Sequence, residues 1–196
     1  MRAVFLMALS AALLSAVAAT ASPVRVEHLD TTCDVPLKAL RTLTDPQRNL
    51  VNLRPTDTTV GAINALPQPH PTPRARSTDF SRRVWRVVAQ ITEFRLAGDR
   101  AIQLVLFDAG TYLVAAMPDS HCLSRKTRNR QAVIAVRKKF EASCGQATKN
   151  WKELGAVAMI SGVGFFDIPQ AQKPQATNFA ELNPVTGIRF LSGCGA

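Results

Sequence analysis

From Val84 onward the apolar residues fall into short periodic runs. In "VWRVVAQITEFRL" a period of two puts Trp85, Val87, Ala89 and Ile91 on one face. The parity then flips, and Phe94 and Leu96 carry the apolar pattern. A parity flip inside one long strand predicts a β-bulge that bends it. "AIQLVLFD" predicts a second strand, with Ile102, Leu104 and Leu106 facing one way and Val105 and Phe107 the other. Asp108, Ala109 and Gly110 make the hairpin turn into a third strand, "TYLVAAMP", which Pro118 closes. The period then changes to 3.6. Between Asn129 and Ser143 a helix is predicted, with Val133, Val136 and Phe140 on one face and Cys144–Gly145 at its end. "GAVAMISGVGFFD" reads as a fourth strand, in which Gly162 and Gly164 permit curvature or close backbone approach. "PVTGIRFLSG" reads as the fifth, so the chain re-enters the fold at Pro184. The order β-β-β-α-β-β with a bulged first strand predicts a mainly β domain with one helix, a five-stranded OB-fold-like barrel. The alternative is a small open α+β sandwich.

The pattern fails before Val84. Residues 22–83 show few periodic apolar positions, and "PQPHPTPRARS" holds too many prolines for a regular element. We read 22–83 as an irregular, Pro-rich N-terminal arm laid over an 84–196 domain and pinned by Cys33. Within the arm "TTVGAINAL" predicts a short helix capped by Thr58 or Thr59. Residues 1–21 have a different character. Arg2 precedes an apolar run from Ala3 that ends in Ala19–Thr20–Ala21, an A-x-A site. This is the pattern of a secretory signal peptide, and it predicts a secreted or periplasmic protein cut near Ala21. No later stretch is long and apolar enough to span a membrane.

The chain has 196 residues, a formal charge of +10 and four cysteines. An even cysteine number in an exported chain predicts two disulfides. We expect Cys122–Cys144, around the helix, and Cys33–Cys194, tying the ends. No C-x-x-C, H-E-x-x-H, G-x-S-x-G or P-loop pattern occurs, so no metal, cofactor or catalytic residue is assigned. The positive charge suggests an anionic polymer, nucleic acid or acidic glycan, as partner. Arg82, Arg83 and Arg86, with Arg74 and Arg76, form one basic cluster. Arg125, Lys126, Arg128 and Arg130 form another. Single-strand binders also need aromatic platforms, and only Trp151 and Phe179 stand in loop-like settings.

In OB-folds the loops between strands one and two and between strands four and five flank the usual ligand face. Asp99 lies in the first and Gln170 to Asn183 fill the second. Here the chain resembles a family of uncharacterised secreted bacterial proteins. The resemblance rests on "QLVL" at 103–106, "YLVAAMPDSHC" at 112–122, "GVGFFD" at 162–167, "PQAQKPQATN" at 169–178 and "AELNPV" at 180–185. It covers most of residues 55–194. It implies a polar face with histidine on the second strand, glutamate on the third and histidines flanking the last loop. In this chain those positions are Gln103, Ala116, a residue within Pro169–Ala171, and Asn183. Asp99, Asp167, Asn178 and Glu181 remain. Glutamine and asparagine hydrogen-bond but do not exchange protons near neutral pH. The substitutions therefore favour binding or structure over catalysis. The expectation is an exported, non-enzymatic binding module for an anionic polymer or an envelope protein. The alternatives are a structural or assembly accessory and a nuclease-like metal-dependent hydrolase with a degenerate site. Candidate binding residues are Asp99, Gln103, Asp167, Asn178, Glu181, Asn183, Arg82, Arg83 and Arg86.

Overall fold

The structure, a computed structural model, describes residues 33–169 and 175–195. The expected signal peptide, and residues 170–174 of the last loop, lie outside them. Six strands pair in one sheet among the described residues: β1 (Asn52–Asp57), β2 (Arg83–Leu96), β3 (Ile102–Asp108), β4 (Thr111–Met117), β5 (Lys152–Phe166) and β6 (Ala180–Ser192). Neighbours run β1-β2-β3-β4-β6-β5, and β5 pairs back onto β2. Strands β2 to β6 thus form a ring, in which β4 and β6 are parallel. Three α-helices accompany them among the described residues: α1 (Lys38–Arg41), α2 (Val60–Asn64) and the longest of the three, α3 (Arg130–Cys144).

The predicted alternation is realised in β2. Val87, Ala89, Ile91 and Phe94 enter one core with Ile102, Leu104 and Leu106 of β3 and Leu113, Ala115 and Met117 of β4. The parity flip is a bulge at Thr92. Ile91 and Glu93 pair with the consecutive residues Leu106 and Val105, so Thr92 is the extra residue. The β3–β4 turn places Ala109 and Gly110 at φ 46° and 82°, the double left-handed turn that matches strand twist. α3 buries Val133, Val136 and Phe140 and stops at Gly145, whose N–H reaches the Glu141 carbonyl. Phe140 meets Phe94 edge-on at 5.1 Å. In β5 the glycines serve close approach. A Cβ on Gly164 would lie 2.1 Å from the Phe80 carbonyl oxygen, and one on Gly162 2.8 Å from Leu182 Cβ.

Three expectations are corrected. The chain re-enters the sheet at Ala180, not Pro184; the three residues Ala180–Leu182 pair with the end of β5, and Glu181 and Leu182 also with β4. The arm is more regular than its composition suggested. It contributes α1, α2 with Thr59 as cap, and β1, which lies parallel to β2. Its organising group is Arg76, 1% exposed, whose guanidinium binds Asp45 at 2.9 and 3.1 Å and the carbonyls of Leu40 and Ser81. The disulfides are Cys33–Cys122 and Cys144–Cys194. Cys122 precedes α3 and Cys144 is its last residue. A helix rises about 1.5 Å per residue, so α3 holds these two cysteines apart. Its C-terminal end lies beside the end of β6, where Cys194 waits with a Cα–Cα distance of 4.7 Å.

Candidate binding site

Five of the polar residues singled out above converge at one end of the ring. Asp99 stands in the β2–β3 turn, where its carboxylate accepts the Ala101 N–H at 3.1 Å. Gln103 follows on β3. Asp167 directly follows β5, and Glu181 and Asn183 lie on β6. Period two explains their direction. Ala180 and Leu182 of β6 belong to the core, so Glu181 and Asn183 face outward. Outward here does not mean solvent: they are 4% and 2% exposed. The arm lies across this face. Arg41 of α1 binds Asp167 at 2.6 Å and sits over the Phe165 ring, 5.0 Å from its centre. A second arginine, Arg95 of β2, donates to Gln103 at 3.0 Å and stacks 4.4 Å over Trp151.

Two hollows open between arm and ring. A small cavity beside the Cys33–Cys122 bridge is lined by Lys38, Arg41, Asp99 and Asn183, and has space for about one water. Next to it an open groove runs past Val35, Pro36, Arg41, Arg95, Asp99 and Gln103 to Ile168. Burial, reinforced by the charge of Asp167, pushes Glu181 up to about 8 against the opposing pull of Arg41 and Asn183. Glu181 is therefore neutral at neutral pH. Burial works against the charge of Arg41, but Glu181 and Asp167 outweigh it and hold its pKa above the ordinary value. Two polar atoms here are buried with no partner among the described residues: Arg41 Nε and Asn183 Oδ1. Asn183 Nδ2 donates to Glu181 at a long 3.4 Å.

The other candidates lie elsewhere. Asn178 is a clasp: its amide donates to the Ile63 and Leu66 carbonyls at 2.8 and 3.0 Å, and its oxygen accepts the Ala180 N–H. It fastens α2 to the chain entering β6. Arg82 donates to the Arg76 carbonyl, Arg83 pairs with Asp79, and Arg86 is clamped by both oxygens of Asp57. None of the three lines the groove. Sequence reasoning missed Arg41 and Arg95. Arg41 carries no signal, since its partner is 126 residues away. The alternation of β2 placed Arg95 opposite Phe94 and Leu96, which marks an outward position but not a site.

Among the described residues no group of three His, Cys, Asp or Glu is placed to hold a metal ion, and no helix is long and apolar enough to cross a membrane. No family model matches the chain, and no curated protein does. A solved structure from Leishmania major Friedlin, provisionally assigned as an aspartyl-tRNA synthetase, is similar at 12% identity and a TM-score of 0.42. The match covers 70% of this chain and 21% of that one, so this chain spans about a fifth of its length.

Proposed function

We propose that the protein is an exported, non-enzymatic binding module, built as an OB-fold-like barrel, whose partner is a protein of the envelope or extracellular space. One observation carries the reading. Residues from four separate stretches, Asp99, Gln103, Asp167 and the Glu181–Asn183 pair, meet beside a groove at the end of the ring. The ring order, with its one parallel pairing and a helix between the third and fourth ring strands, supports the barrel. Two disulfides suit an oxidising compartment, and the A-x-A segment suits export.

A protein partner is favoured over an anionic polymer by where the charges go. Arg76, Arg83 and Arg86 are spent on Asp45, Asp79 and Asp57. Trp151 lies under Arg95, and Tyr112 is the one aromatic among the large exposed apolar residues described. The two arginines of the groove are engaged as well, Arg41 on Asp167 and Arg95 on Gln103 and Trp151.

The test is photo-crosslinking from Ile168, 39% exposed on the groove rim. With a benzophenone side chain there, envelope extracts should yield a discrete protein adduct. Placing Lys at Asp99 should abolish it. A bare negative, together with salt-dependent capture of a labelled oligonucleotide, would return the function to polyanion binding through Arg125, Lys126, Lys138 and Lys139. A negative in both would leave the accessory role.

A further inference from the structure

Arg41 reaches the site from the arm, not from the ring. Its guanidinium has an aromatic face beneath it, a carboxylate in contact, and a second carboxylate, Asp99, lining the same cavity. A planar cation over a ring with a carboxylate at its edge is how proteins recognise arginine. The fit is incomplete. Arg41 enters from α1 with its Nε unpartnered, while Asn183, 2% exposed, lines the same cavity and holds a buried Oδ1 without a partner. A guanidinium donates five N–H groups. One entering along the groove rather than from the arm would have an acceptor in Asn183 that Arg41 leaves unused.

We propose that this pocket is a receptor for an arginine side chain of a protein partner, and that Arg41 is its resident surrogate. The inference rests on the binding-module reading above and names the group recognised. The partner's arginine replaces Arg41 over Phe165 and against Asp167, and adds the Asn183 contact. The α1 segment is then released from the ring, while Cys33–Cys122 keeps the arm attached.

Calorimetric titration of the oxidised protein with N-acetyl-arginine methylamide tests this, with the neutral citrulline analogue and the lysine analogue as controls. Arg41→Ala should bind the arginine probe roughly ten-fold more tightly than wild type and than either control. Adding Asn183→Ala to Arg41→Ala should weaken it again. An Arg41→Ala protein with native near-ultraviolet circular dichroism that does not distinguish arginine from citrulline overturns the proposal. If Arg41→Ala does not fold, amide exchange on the wild type decides. The arginine probe, and not citrulline, should speed exchange at Leu40, Arg41 and Thr42, and unchanged exchange refutes the receptor. If these fail while the Ile168 adduct persists, the module stands and only its ligand class is wrong. If the adduct fails too, the module reading falls with it.

Discussion

Glu181 is a carboxyl held away from water. It is buried beside Asp167, with a single long hydrogen bond from Asn183 and the charge of Arg41 as its relief. Its pKa rises from the ordinary carboxyl range to about 8 on folding. Between those two values the unfolded chain has lost this proton and the folded chain keeps it. Folding stability attributable to this group therefore falls as pH rises through that window, and is flat outside it. Glu181→Gln keeps the shape and removes the titration. It should be close to neutral at pH 4.5 and should stabilise the protein by roughly 1–3 kcal/mol at pH 8, read from urea unfolding at both pH values. Equal effects at the two would show that Glu181 is ionised in the folded protein. Asp119 is the opposite case. Burial alone would raise it, but the His121 N–H and ring and Arg100 donate to it, and with the charge of Arg137 they hold it at about 2. One carboxyl is thus kept charged and another neutral in one small domain, by the number of donors each was given.

At the scale of elements, β5 is the strand with least latitude. Gly164 passes so close to Phe80 that any side chain must displace backbone. Gly164→Ala should lower stability by roughly 2–3 kcal/mol or prevent folding, whereas Gly98→Ala, in open space on the β2–β3 turn, should change it by less than about 0.5 kcal/mol. Thermal unfolding of the two variants compares them directly. The ring strands, the bulge at Thr92 and α3 were legible because each repeats a period over many residues. β1 was not. It is six residues long, mostly exposed, contains Pro55, and joins the sheet only at its edge. The start of β6 was missed for another reason. Glu181 and Asn183 made 180–183 look like loop, because a sequence does not say that an outward-facing polar residue will be covered by the arm. The site was half legible by the same logic. The acceptors on the ring were singled out by the loops that flank an OB-fold's ligand face and by the family resemblance, but the cation that fills them comes from α1, four residues long.

Across the whole molecule the arm is held to the ring by unlike devices, the Cys33–Cys122 bond, Arg41 on Asp167, β1 beside β2 and the Asn178 clasp on α2, while the buried Arg76–Asp45 pair fixes the arm's own shape. The cysteine pairing is directly checkable. Non-reducing proteolysis followed by mass spectrometry should recover Cys33 joined to Cys122 and Cys144 joined to Cys194. Recovery of Cys122 with Cys144 would mean that α3 does not separate them as described.

That pairing also fixes the route of a mechanical load. Tension applied to the chain on either side of the two bridges passes from Cys33 straight to Cys122, and from Cys144 straight to Cys194. The ring does not escape it: β2, β3 and β4 lie within the first closed stretch and β5 and β6 within the second, so the β2–β5 and β4–β6 pairings bear the load alongside α3. A pull that draws out the basic segment and α3, by at most roughly 75 Å of contour, must also part those pairings, and with them a site whose residues come from both stretches. Tethered at its two ends, the protein would let go of its partner before either covalent loop opened.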